Sequence, residues 1–313
     1  LDDNNDGFSD SLEAARGSLP KSATSILAYE PYGDPIVGSP GSYSGKLALN
    51  SAGDILAIGA PRQTNKEISR AGAVSVYESV DGEWSLKGSV LRGTAQNQYF
   101  GSAVALNKAG DILAVGMPGR TGNERTVLVY KWDGSDWAQY GQILTDGAEN
   151  EPSRFGFDLD LDDSGGRLVV GAYGADASNG KVYVYDYSGS EWALVGSAIS
   201  GTDTILLGYG VKISGDGTTV VASAPYYAQS GETQKSGAAF VYRLVGNTWT
   251  QLGDPLLASL SPSNYNSEGS EIAVNRTGIL VAFGAPHYRD QDGDEVGELK
   301  VYSLTNDQWI QRG

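Results

Sequence analysis

The chain has 313 residues, no cysteine, one methionine, 43 glycines, 18 tyrosines and a formal net charge of −16. The missing thiols exclude disulfides, zinc–thiolate centres and cysteine nucleophiles, and the carboxylate excess repels nucleic-acid phosphates and anionic lipid, so nucleic acid is not expected as a partner. No apolar run is long enough to span a bilayer, so no membrane insertion is expected, and a Gly- and Tyr-rich, Met-poor chain favours short strands joined by tight turns.

Residues 1–20 read as a separate calcium-loop segment. The opening Leu1-Asp2-Asp3-Asn4-Asn5 has the look of a processed or trimmed start. From Asp2, oxygen side chains fall at the first, third, fifth, ninth and twelfth positions as Asp2, Asn4, Asp6, Asp10 and Glu13. Gly7 stands where the loop must turn, and Phe8 would offer its backbone carbonyl. This pattern matches the EF-hand loop and resembles the calcium loops of dockerin and thrombospondin type-3 repeats, which implies calcium as the bound ion. Only Leu1 precedes the loop, so an entering helix is missing, and a short exit helix is expected over 11–16. A spare strand follows at 25–37, because Tyr29 to Gly33 with Asp34-Pro35 looks like Trp249 to Gly253 with Asp254-Pro255. It closes the ring against the last blade, joins a larger ring, or pairs with another chain.

Five cassettes then recur. Tyr77 and Trp84, Tyr130 and Trp137, Tyr185 and Trp192, Tyr242 and Trp249, and Tyr302 and Trp309 are each seven residues apart. Gly88, Gly141, Gly196, Gly253 and Gly313 each follow the Trp by four. The Trp residues themselves are 53, 55, 57 and 60 apart, so the fixed stretches are packed structure and the drifting ones are loops. In the second repeat, strand a is expected over 101–106, b over 112–117, c over 127–130 and d from Trp137. Asn107-Lys108-Ala109-Gly110-Asp111 and Asp133-Gly134 supply the turns. Apolar residues on both faces of a and b fit blades stacked side by side.

The cassettes resemble the FG-GAP repeat of integrin-α-type propellers. Phe100-Gly101 and Phe155-Gly156 carry the Phe-Gly. Gly59-Ala60-Pro61 and Gly284-Ala285-Pro286 carry the Gly-Ala-Pro, with Gly116-Met117-Pro118 and Ser223-Ala224-Pro225 as variants and Gly171-Ala172-Tyr173 as a departure. The expectation is an all-β propeller over 21–313 with four-stranded antiparallel blades. Its repeats fall near 44–93, 100–147, 155–201, 207–258 and 268–313, and six or seven blades remain open if other segments complete it. The family's calcium loop between strands a and b is not carried over, because Asn50 to Asp54, Ser214 to Gly217 and Asn275 to Gly278 hold too few carboxylates.

Length variation falls in the b–c loops and d–a connections, which share one face, and recognition is expected there. That face offers Tyr226, Tyr227, His287, Tyr288 and Arg289 as partner-binding candidates. Asp290, Asp292 and Asp294 form a second candidate calcium site in the last b–c loop. Asp158, Asp160 and Asp162 alternate along a first strand, with Lys46, Lys212 and Glu271 at comparable places, and either pair between blades or line a small ion site. Asn275-Arg276-Thr277 is an N-glycosylation acceptor pattern. The only histidine, His287, has no nucleophile at recognisable spacing, and no phosphate loop is present. The functional expectation is therefore a non-catalytic structural or adhesion module, extracellular or at the cell surface. Its partners would be extracellular proteins or glycans, with self-assembly through the N-terminal strand. A carbohydrate-binding lectin is the alternative, and a glycosidase-like enzyme the third reading.

Overall fold

The computed structural model describes residues 34–42, 45–119, 125–147, 152–203, 205–228, 235–259 and 271–313. The N-terminal calcium loop, its exit helix and most of the spare strand lie outside the described residues. The chain divides into a small unit, residues 1–36 with 80–84, and a large unit with the remainder. The fold is a β-propeller with five antiparallel sheets, as expected. Blade one contains β1 (Lys46–Leu49), β2 (Ile55–Ala60), β3 (Ala73–Val80), β4 (Glu83–Leu86) and β5 (Leu91–Arg92). Blade two contains β6 (Ala103–Leu106), β7 (Ile112–Met117), β8 (Thr126–Trp132), β9 (Trp137–Gln139) and β10 (Leu144–Thr145). Blade three contains β11 (Leu159–Leu161), β12 (Arg167–Ala172), β13 (Lys181–Tyr187), β14 (Trp192–Leu194) and β15 (Ile199–Ser200). Blade four contains β16 (Val211–Ile213), β17 (Thr219–Ala224), β18 (Ala238–Val245), β19 (Thr248–Gln251) and β20 (Leu256–Leu257). Blade five contains β21 (Glu271–Val274), β22 (Leu280–Ala285), β23 (Glu298–Thr305) and β24 (Gln308–Arg312).

The fifth strand of the first four sheets is the broken half of strand d. In blade three, β13 pairs β14 through Tyr185–Tyr187 and β15 through Lys181 and Val182. The glycine four residues after each Trp sits at the break, and Gly88, Gly141, Gly196 and Gly253 all have positive φ, which only glycine adopts without cost. Among the described residues blade five has its own strand d, β24, and no counterpart of β5, β10, β15 and β20.

Each first turn is closed by one short polar side chain. Asn50 Oδ1 accepts from the amides of Asp54 and Ile55, and Asn107 Oδ1 from those of Asp111 and Ile112. Asp162, Ser214 and Asn275 repeat the device in the later blades. Successive turns are also joined: Lys108 N–H donates to Asp163 O, and Asp163 N–H to Gly215 O. Asn275 thus has a structural job, with its carboxamide nitrogen donating to Thr277 Oγ1.

The core lies between blades rather than within them. Four buried clusters each draw on two successive blades. One joins Val127, Val129 and Leu144 of blade two to Phe155, Leu159, Leu168 and Trp192 of blade three, and the other three repeat the arrangement. At three of the four junctions the backbones themselves touch. A Cβ added to Gly59, Gly116 or Gly171 would sit on the carbonyl oxygen of Gly101, Gly156 or Gly208 of the next blade. Those three glycines have φ of 86°, 80° and 84°, and each follows a fully buried Phe100, Phe155 or Leu207. The Phe-Gly turn and the glycine of the Gly-Ala-Pro segment are therefore two halves of one contact.

A second latch lies further out along the blade. Trp137, Trp192 and Trp309 donate their indole N–H to the carbonyls of Lys87, Tyr140 and Leu252 in the preceding blade. Trp249 is equally buried, but its Nε1 has no partner. Gly171→Ala should cost about 1–3 kcal/mol or more in urea unfolding, since neither backbone can retreat. Trp192→Phe should cost about 1 kcal/mol more than Trp249→Phe, because only the former breaks an indole bond.

Candidate active site

The charged residues of the first strands meet where blades three, four and five converge. Asp158 immediately precedes β11 and Asp160 lies within it, and both point toward blade four. There they accept from the outward amides of β16: Val211 N–H donates to Asp158 Oδ2 at 2.9 Å and Ile213 N–H to Asp160 Oδ2 at 3.1 Å. The innermost edge of a blade has no further strand to bond, and these two carboxylates occupy its free donors. Lys212, between the two amides, brings its Nζ to 3.7 Å from Asp158 Oδ2. Glu271, the first residue of β21, acts electrostatically on Lys212 from blade five.

In strand register, Asp158 takes the place of Lys46, Ala103 and Glu271, and Asp160 that of Ala48, Ala105, Lys212 and Ala273. Asp162 is not part of this cluster, because its carboxylate is spent on the first turn, accepting from Arg167 N–H and Ser164 Oγ.

Electrostatics differ sharply within the cluster. Burial pushes the Asp160 carboxyl above the usual range, outweighing the opposing pull of Lys212 and the Ile213 amide. Burial also works against the Lys212 ammonium, but Asp158, Asp160 and Glu271 together hold its pKa above the ordinary lysine value. A carboxyl whose pKa burial raises thus stands beside an ammonium whose pKa its neighbouring carboxylates raise.

Three aromatic rings stand over the strand ends. Phe157 meets Tyr173 edge-on at 4.7 Å, Tyr209 lies 5.0 Å from Phe157, and Tyr173 and Tyr209 are 5.3 Å apart. All three are half-buried. Burial, then the nearness of Tyr173, Glu271 and Tyr226, raises the Tyr209 phenol. Phe157 opens strand a, Tyr173 ends strand b and Tyr209 precedes the next strand a, so the rings share the face of the b–c and d–a loops. The rings and the charged residues come from neighbouring segments of blades three and four, Phe157 next to Asp158 and Tyr209 two residues before Val211. Tyr209 was not singled out by sequence reasoning. Its signal is that Phe157 and Tyr209 fall where the second repeat has Ser102, just as Tyr173 falls where the other repeats have proline.

The loop residues differ in exposure and in their partners. Tyr226 is exposed, with Lys235 Nζ 4.7 Å from its ring centre. Tyr227 packs inward, edge-on to Phe240 at 5.3 Å, and Tyr288 packs on the core shared by blades four and five. His287 Nδ1 and Arg289 Nη2 are both held by Glu295, at 2.8 and 2.9 Å, and the His287 bond is the main cause that lowers the Glu295 pKa. Asp290 Oδ1 accepts from the amides of Asp292 and Asp294, which makes it a turn-former. Among the described residues no group of three metal-ligating side chains converges, so Asp290, Asp292 and Asp294 are not brought together as a cage.

No family model and no curated protein matches the chain. Solved structures do. A protein from Lactobacillus plantarum superposes with a TM-score of 0.55 at 16% identity, over 86% of this chain and 69% of that one. A Bacteroides fragilis protein provisionally named a 6-phosphogluconolactonase gives 0.52 at 11%, over 94% and 73%. Hydrazine synthase of Kuenenia stuttgartiensis gives 0.51 at 13%, over 86% of this chain and 65%, just under two thirds, of that one. At such identities the likeness is one of fold, the β-propeller.

These neighbours correct the functional expectation. A non-catalytic adhesion module, with a lectin as alternative, was inferred from repeats and acidity without a recognisable catalytic set. Propellers that superpose on the chain carry enzyme names, so the repeat architecture gives no ground for binding over catalysis. Among the described residues no helix is long and apolar enough to cross a membrane.

A raised carboxyl pKa in the folded state means that the native chain binds more protons than the unfolded one above the usual aspartate range. The Asp160 contribution therefore weakens stability as pH rises from about 4 toward its folded value. Asp160→Asn, which can still accept from Ile213, should gain stability relative to the parent between pH 4 and pH 7 in urea unfolding. A difference that stays constant with pH would contradict this assignment.

Proposed function

We propose that the protein is a hydrolase that opens a cyclic ester, with Asp158, Asp160 and Lys212 as its acid–base and electrostatic groups. The observation that carries the reading is the Asp158–Lys212 pair beside Asp160, whose pKa burial raises, with the Phe157, Tyr173 and Tyr209 cluster in the adjoining segments. The lactonase name of one structural neighbour agrees with it. In this reading Asp158 takes a proton from the attacking water as its oxygen bonds to the ester carbonyl carbon. The Lys212 ammonium faces the oxyanion. The ring C–O bond then breaks, and Asp160 supplies the proton that the departing oxygen needs. The mutually tilted rings offer apolar surface to a compact sugar-derived ring.

The cluster sets three carboxylates, Asp158, Asp160 and Glu271, against one ammonium. An uncharged lactone therefore suits it better than a phosphorylated one. Hydrolysis of an unphosphorylated aldonolactone, followed by pH-stat, should be catalysed by the protein, and Asp158→Asn should lower kcat by about 10²-fold or more. Tyr173→Ala should chiefly raise KM. No turnover above buffer, or an Asp158→Asn variant as fast as the parent, would sink the reading.

Kinship with the FG-GAP repeat is part of the same proposal, supported by the placing of Phe100-Gly101 and Phe155-Gly156 at blade junctions. Calcium binding by the Asp2–Glu13 loop, and an extracellular setting to supply the ion, rest on the sequence pattern. Calorimetric titration with calcium should show one weak site that Asp6→Asn removes; a titration without heat would dispose of it.

A further inference from the structure

Among the described residues, the junction that joins successive blades is left unfilled at both ends of the series. Gly284 of blade five stands in strand register with Gly59, Gly116 and Gly171. A Cβ on each of those three would meet a carbonyl of the following blade. Among the described residues, a Cβ on Gly284 would meet only atoms of its own blade, Glu271 Cβ at 3.5 Å being nearest. Gly297 repeats the contrast. Its counterparts Gly72 and Gly180 press on the backbones of Phe100 and Leu207, whereas Gly297 faces only Pro286 and Ala285 of its own blade.

The side chains agree. Leu299 takes the place of Val74, Val127 and Val182, all fully buried at a junction, yet it is 71% exposed. Leu280 takes the place of Ile55 and Ile112, which are 5% exposed, yet it is 40% exposed. On the opposite side of blade one, Leu47 and Leu49 are 63% and 56% exposed, whereas their counterparts Leu159 and Leu161 in blade three are buried against blade two. One end of the series thus presents the apolar strand a side of a junction and the other presents its glycine-notched side. They correspond strand for strand to the two sides of the interior junctions, although blade one has Ser44 where the following blades have Gly101, Gly156 and Gly208. Isolated exposed leucines are ordinary, but two open faces that match an interface already built repeatedly in the same molecule are complementary to one another.

We propose that the protein associates head to tail: the open face of blade one in one copy seats on the Gly284–Gly297 face of blade five in another. The contact is heterologous, so a dimer keeps one face of each kind free to bind further copies unless the assembly closes.

The test uses the whole chain in light scattering coupled to size exclusion, with Leu47→Arg and Leu299→Arg as variants. Both positions are exposed in a single copy, so the new charge stays in water and each variant should melt like the parent. The parent should exceed the monomer mass increasingly as concentration rises toward about 100 µM. Each variant alone should be monomeric, because one of the two faces is spoiled in every copy. A mixture of the two should give a one-to-one dimer through the single intact junction. A monomeric parent over the whole range would overturn the proposal and point to closure of the two faces by the same chain. Variants that still associate alone, or a mixture that stays monomeric, would overturn it as well.

Discussion

A peptide carbonyl pressed against the bare Cα of a glycine in the neighbouring blade is the contact on which the other features depend. It appears between Gly59 and Gly101, Gly116 and Gly156, and Gly171 and Gly208. The absence of a Cβ lets two sheets approach at backbone distance, and the left-handed turn at the second glycine aims the carbonyl. The large side chain just before that turn, Phe100, Phe155 or Leu207, is driven into the gap and fully buried there. Hydrophobic burial then extends outward along the blade faces to the Trp latches, so that the four described cores are all interfaces. A single blade has little interior of its own, which explains why the repeats need one another.

Close approach also creates a problem that the site solves. Bringing first strands together leaves the outward amides of an innermost strand without a sheet partner. In blade four, Val211 and Ile213 donate instead to Asp158 and Asp160. Meeting that need places two carboxylates in a confined setting, where burial raises one of them and Lys212 answers the charge. Chemical potential at this point is thus a by-product of satisfying a strand edge, and the aromatic residues lie in the adjoining segments.

The fold was legible because its signals are periodic. Tyr, Trp and Gly at fixed offsets report the strand c to strand d hairpin, the outer latch and the break in strand d, each of which recurs with the same geometry. The break itself was not foreseen, since a glycine marks a turn and a kinked strand alike. The candidate site was legible only in part. Asp158, Asp160, Lys212 and Glu271 stand out as charges in otherwise apolar strands, but their joint arrangement depends on which face of each strand meets which blade. Tyr173 and Tyr209 are visible as places where repeats three and four depart from their siblings. The surroundings of the loop residues depend on contacts that composition does not show. Tyr227 and Tyr288 have apolar bodies that the nearby core recruits, and His287 and Arg289 are neutralised by Glu295 within their own loop. Composition of a loop says little about which of its side chains remain available.

The central claim, that the glycine–carbonyl junctions hold the blades together, is tested most directly by native-state hydrogen exchange. The amides of Gly101, Gly156 and Gly208 donate within their own blades to Gly116, Gly171 and Ser223. They lie in turns outside the strands, where exchange would ordinarily be fast. If the junctions carry the fold, these three amides should exchange only with global unfolding, at the same free energy as the interior strands β7, β12 and β17. Exchange of those glycines at loop-like rates, while the strands stay protected, would show that the blades are held by their side chains alone and would contradict the account.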